Sequence, residues 1–104
     1  MKFYTTNEVV GEEIERSLGM VRGNTIRARN FGRDILAGLR NLVGGEIKDY
    51  TEMLSDARDE AVSRMAKQAE DLGADAIVEV RFTTSQTMGG AAEILVYGTA
   101  VTFK

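Results

Sequence analysis

Six residues carry most of the binding chemistry that the sequence offers: Arg27, Arg29, Gly44, Gly45, Glu46 and Arg58. Guanidinium groups stay charged and present a planar fork suited to carboxylates and phosphates. Arg27 and Arg29 belong to the stretch 22–40, which holds Arg22, Arg33 and Arg40 as well and only one acid, Asp34. That is a local basic field inside a chain of net charge -3. "VGGE" (43–46) precedes a long helical pattern, so backbone N–H groups at Gly44 and Gly45 could cradle a small anion. The pair lacks the glycine spacing and the following lysine of a phosphate loop. A corner that starts a helix is the competing reading. Arg58 falls about 40° from Leu54 on a helical wheel, on the apolar side. It either carries its charge outward on an apolar stem or is buried and must satisfy five donors. Asp75 is the candidate partner, and Gln68 adds a polar group at the opposite edge of the same stripe.

Several chemistries are closed. Histidine and cysteine are both absent, so no single chain can build a Ser–His–Asp or Cys–His nucleophile, a zinc finger or a two-histidine iron site. Met20, Met53, Met65 and Met88 are too scattered for a thioether site, and Met65 fits a helix core stripe. Asp56, Asp59 and Glu60 share the polar side of a helix, where charge meets water. Glu12, Glu13 and Glu15 lie near a glycine turn without EF-hand spacing. No cofactor motif is present. The acidic balance argues against nucleic acid, whose binding is largely phosphate neutralisation. No run approaches the length of a membrane span, and "MKFYTTNEVV" lacks the apolar core of a signal peptide. The cytoplasm is the expected compartment.

The elements that must position these residues fit a single domain over 1–104. Residues 2–6 read as a strand, and 7–19 as a turn or two of helix stopped by Gly19, because Ile14 and Leu18 are four apart. Residues 20–29 read as a strand with Ile26 and Ala28 inward and Arg27 and Arg29 outward. Asn30 caps a helical stripe of Phe31, Ile35, Leu39 and Leu42 that ends at Gly44. Asp49 with Glu52, or else Thr51, caps a helix over 51–72. Tyr50, Leu54, Ala57, Ala61, Met65, Ala69 and Leu72 share its apolar face, and Gly73 ends it. Residues 75–83 and 93–103 are strands, the first alternating Ala76, Val78, Val80 and Phe82 against Ile77, Glu79 and Arg81. The last is apolar on both faces: Ile94, Val96 and Ala100 on one, Leu95, Tyr97, Val101 and Phe103 on the other. One helix covers one side of a sheet, so the other side calls for a cover, most simply a copy of the same chain. The expected fold is α+β, a mainly antiparallel sheet with a long helix across one face.

The same residues form a wider pattern. "LGMVRGNTI" (18–26), "GGEIKDYTEML" (44–54), "DARDEAVSRMAKQAEDLGADAIVEVRF" (56–82) and "EILVYGTAV" (93–101), with Thr5–Thr6 ahead of them, resemble the YbjQ-like family. That group is also known as UPF0145 and carries a heavy-metal-binding label. The resemblance implies a dodecin-like α+β fold that assembles as a ring, a pentamer. Function is left to the residues themselves: with no strong nucleophile or base, the expectation is a small binding or scaffold-like protein of unknown ligand. The alternative is an enzyme acting on an anionic substrate at a subunit interface, with Arg27, Arg29, Glu46 and Arg58 as its first suspects.

Overall fold

The computed structural model describes residues 1–27, 47–86 and 92–104. Among these lie four strands, β1 (Lys2–Phe3), β2 (Ile14–Arg27), β3 (Ala76–Gln86) and β4 (Ala92–Phe103), and one helix, α1 (Ile47–Asp71). The strands form one sheet in the order β1-β3-β4-β2. β1 runs parallel to β3, while β3–β4 and β4–β2 are antiparallel. The α+β class expected from the sequence stands, with a mixed sheet. The helix expected after Asn30 lies outside the described residues.

β1 is shorter than the expected 2–6. Beyond Phe3 the chain still bonds β3, with Tyr4 N–H donating to Ile77 O and Val80 N–H to Tyr4 O. Glu79 interrupts the ladder. It adopts φ 54°, an uncommon conformation for a side chain with a Cβ, and sits in a bulge between Val78 and Arg81. Its N–H donates instead to Thr6 O at 3.0 Å.

The helix expected within 7–19 is absent: residues from Ile14 onward are strand. β2 has register shifts between Ile14 and Arg16 and between Ser17 and Gly19. Each shift reverses the side-chain alternation. Ile14 therefore joins a cluster with Ala76 and Val101, whereas Leu18 packs against the helix-side cluster. Their spacing of four mimicked a helical turn.

The long helix was legible, although its start was not. α1 already includes Ile47, so Asp49 and Thr51 lie inside it rather than at its cap. Gly73, at φ 79°, closes the other end. Its N–H donates to Glu70 O at 3.0 Å and that of Ala74 to Ala69 O at 3.0 Å, which satisfies carbonyls that a helix end leaves open. The buried stripe of α1 is Ala57, Ala61, Met65 and Ala69. It meets Val21, Ile77, Val80, Ile94, Val96 and Ala100 of the sheet.

Small residues let the helix come close. A Cβ built on Gly23 would stand 1.9 Å from Ala61 O and 2.6 Å from Met65 N, so backbone meets backbone there. Next along β2, the Thr25 hydroxyl donates to Ala57 O at 3.1 Å in a buried setting. Gln68 Oε1 accepts from the Arg22 N–H at 2.9 Å, and Arg64 donates to Asn24 O at 2.6 Å. Falling numbers on α1 meet rising numbers on β2, so the two run antiparallel. One helical turn of four residues advances about 6 Å and two strand residues about 6.6 Å. That near match lets Arg64 and Gln68 reach successive outward-facing groups of β2, whose other side pairs with β4.

This close approach also corrects the expected phase of β2. Val21, Gly23 and Thr25 face the helix, and Ile26 is 59% exposed. Side-chain hydropathy favours Ile26 as the inward residue over Gly23 and Thr25. The helix instead selects positions with little bulk or a usable hydroxyl.

Candidate interaction surface

The sheet face away from α1 is only half covered. At one end Ala76, Val78 and Val101 are buried beneath Tyr4, Val9, Ile14 and Phe103. The chain's own N-terminal segment therefore supplies part of the cover expected from another subunit. Asp75 helps hold this end: its Oδ2 accepts from the Phe103 N–H at 2.8 Å, and its own N–H donates to Val101 O.

Past that cluster the face opens. Strand pairing places residues on this face in rows across β2, β4 and β3: Met20–Thr99–Val78, then Arg22–Tyr97–Arg81, then Asn24–Leu95–Thr83. Tyr97 is 38% exposed and Met20 66%. Leu95 is half-buried. An aromatic ring thus stands between two arginines, with aliphatic groups on either side and no acid in the three rows. Arg81 is partly immobilised, since its Nη1 donates to Thr5 O and to Val80 O, each at 2.9 Å. The next row, Ile26–Glu93–Ser85, brings the nearest carboxylate along β4. Such a surface suits an acidic partner with an apolar tip.

The residues singled out by sequence do not gather into a site among the described residues. Arg27 ends β2 opposite Ala92. Arg29, Gly44, Gly45 and Glu46 lie outside the described residues. Arg58 is exposed on α1, so of the two readings left open by the sequence it follows the outward-carried charge rather than burial. The buried stripe is narrow and alanine-rich, which brings solvent up to the position beside Ala57. The suggested Arg58–Asp75 pairing is corrected: Asp75 lies beyond the end of α1, where it accepts from Phe103, and Arg58 lies 13 residues before that end (71 − 58), about 20 Å along the axis. Gln68, marked only as polar, is the side chain that satisfies Arg22 N–H. Sequence reading missed the Arg22–Tyr97–Arg81 row. Plain strand alternation could not have found it, because the bulge between Val78 and Arg81 reverses the face that alternation from Ile77 assigns to Arg81.

A soft metal finds no fitting donors among the described residues. The chain has no cysteine or histidine, and no group of three acidic residues among the described ones could hold an ion. Met65 is fully buried in the core while Met20 stands on the exposed face. The carboxylates of Glu13 and Asp71 are paired with Lys104 and Lys67. Among the described residues, no helix is long and apolar enough to cross a membrane.

Known proteins share both the sequence and the fold. The family model YbjQ_1, described as "Putative heavy-metal-binding", matches residues 1–104. A UPF0145 protein of Archaeoglobus fulgidus is 66% identical over 97 residues, covering 93% of this chain and 90% of that protein. One from Colwellia psychrerythraea is 55% identical over 104 residues, covering 100% and 99%. A solved structure from Pediococcus pentosaceus, described as a protein of unknown function in the DUF74 family, superposes with a TM-score of 0.67 at 19% identity. It covers 100% of this chain and 98% of its own, and it shows the fold alone. On the match along its whole length, the chain belongs to the UPF0145 family of YbjQ-like proteins.

Proposed function

We propose that this protein is a non-enzymatic binding or scaffold-like protein that works in the cytoplasm as a closed homo-oligomer, a ring of five, with a small anionic ligand. One observation carries the reading. Tyr97, Met20 and Ile26 leave apolar surface open on the sheet face opposite α1, beside a region that the chain already covers for itself. Contiguous apolar surface of this kind marks an association site, and homo-oligomers are mostly closed and symmetric. The arginines of the open face suit an anion. A cysteine-free composition fits a reducing compartment without requiring one.

Sedimentation velocity over a wide concentration range tests the assembly. A mass several times that of one chain is expected, and a single-chain mass at every concentration would refute it. The family's metal label is tested separately by calorimetric titration of metal-stripped protein with zinc, copper and cadmium. No saturable binding at micromolar affinity or better is expected, since high-affinity sites for these ions use thiolate or imidazole. A near-stoichiometric signal would favour metal binding over the scaffold reading.

A further inference from the structure

The homo-oligomer reading leaves open which surfaces meet, and one loop stands out. Val10 is 102% exposed, the full area of an isolated valine, while its neighbour Val9 packs into the far-face cluster. The turn that presents it is fastened on both sides. Glu12 N–H donates to Val9 O at 3.1 Å, Thr6 Oγ1 donates to Glu8 O at 2.7 Å, and Gly11 takes φ 89°. Val10 is thus held out by a formed turn rather than left on a loose end. Along the chain it is flanked by Glu8, Glu12, Glu13 and Glu15, with no basic residue from 7 to 15. Glu13 is engaged by Lys104 at 3.2 Å. The loop is an aliphatic tip on an acidic stretch of chain.

The open far face is its counterpart. Tyr97 lies between Arg22 and Arg81, with Met20 and Leu95 in the adjoining rows. Among the described residues, Glu79 in the neighbouring bulge and Glu93 one row beyond Leu95 are the nearest acids along the strands. One surface is apolar with a negative rim, and the other is apolar with a positive rim. In the single chain Val10 touches nothing.

We infer that the Val10 loop of one copy seats on the Arg22–Tyr97–Arg81 row of the next. The contact joins two different surfaces, so it is head-to-tail and repeats around a ring where the rotation closes. Opposite charge at the rims steers the encounter and excludes loop-to-loop and row-to-row pairings. Tyr97 is the anchor, in keeping with the weight that tyrosine and arginine carry at interface centres.

The inference rests on the homo-oligomer reading, and one experiment separates the two. Native mass spectrometry and sedimentation are run on the full chain, on Val10→Asp, on Arg22→Glu and on an equimolar mixture of the two variants. Val10 has no contacts to lose and the Arg22 side chain is exposed, so circular dichroism should match the parent, as should the melting temperature at dilutions where every chain is dissociated. Each variant alone is expected to associate about 30-fold more weakly or worse, the loss typical of a removed hot spot. The mixture should form a dimer of one copy each and stop there. In that dimer the intact loop of the Arg22→Glu chain meets the intact row of the Val10→Asp chain. Variants that assemble like the parent overturn this contact and leave the oligomer standing. Dissociated variants that form no mixed dimer overturn the head-to-tail pairing. A parent chain monomeric at all concentrations overturns both readings.

Discussion

The two faces of the sheet are made by the same strands and solve opposite problems. Toward α1, small residues bring backbone against backbone, with Gly23 beneath Ala61 and Met65 and alanines along the buried stripe. On the far side larger residues, Met20, Ile26 and Tyr97, remain open to solvent. Bulk is placed where the single chain has nothing to set against it. Close packing on one side secures the fold by itself, and volume on the other is available to a second surface.

That contrast should appear as a gradient in mutational cost. Gly23→Leu should be the most damaging change, about 3 kcal/mol or more in chemical denaturation. The new side chain meets helix backbone that cannot step aside without lifting α1. A stable, unaltered fold in this variant would show that the close approach is not needed. Met65→Ala empties a fully buried site and should cost about 2–5 kcal/mol, depending on how far the core relaxes. Thr25→Val keeps the shape and removes the hydroxyl bond to Ala57 O. It should cost about 1 kcal/mol. Tyr97→Ala, on the far face, should change single-chain stability by about 1 kcal/mol or less, measured where the protein is dissociated. A large loss there would mean that the open face belongs to the core. The smallest effect is expected at Lys67, which is solvent-exposed and bonded to Asp71 at 2.7 Å. That hydrogen bond raises the lysine pKa above its ordinary value. Its contribution is therefore present through neutral pH and lost only as alkali deprotonates the amine. Lys67→Ala should lower the melting temperature near neutrality only slightly, because the pair is exposed, and flatten any alkaline decline.

How much of this was readable from sequence depended on whether a local period survived. The α1 stripe survived, and Ala57, Ala61, Met65 and Ala69 were placed correctly because twenty-odd residues keep one repeat. So did the two faces of β4, where alternation runs unbroken from Ile94. β2 was misread at both ends. Two register shifts hide its alternation near Ile14 and Leu18, and at Ile26 hydropathy was a poorer guide than the space beneath a helix. The exposure of Arg58 was left undecided for a related reason. The wheel gives an angle and not the width of the buried stripe, which alanines make narrow. Asp75 could not be matched to Phe103 N–H by spacing, because that bond joins segments 28 residues apart. The row through Tyr97 needed two strand registers, and neither is written in any single stretch of the chain.

The capping of β2 by Arg64 and Gln68 bears on the protein's life before it is folded. β2 is fourteen residues long and lies at the sheet margin, where unpaired amides invite another chain to add on. The side chains that occupy two of those groups, Arg22 N–H and Asn24 C=O, belong to α1, which is synthesised later. Until the helix docks, β2 is a template for aggregation, and anything that loosens α1 restores that state. Aggregation during refolding should therefore follow the rate of helix docking more closely than overall stability.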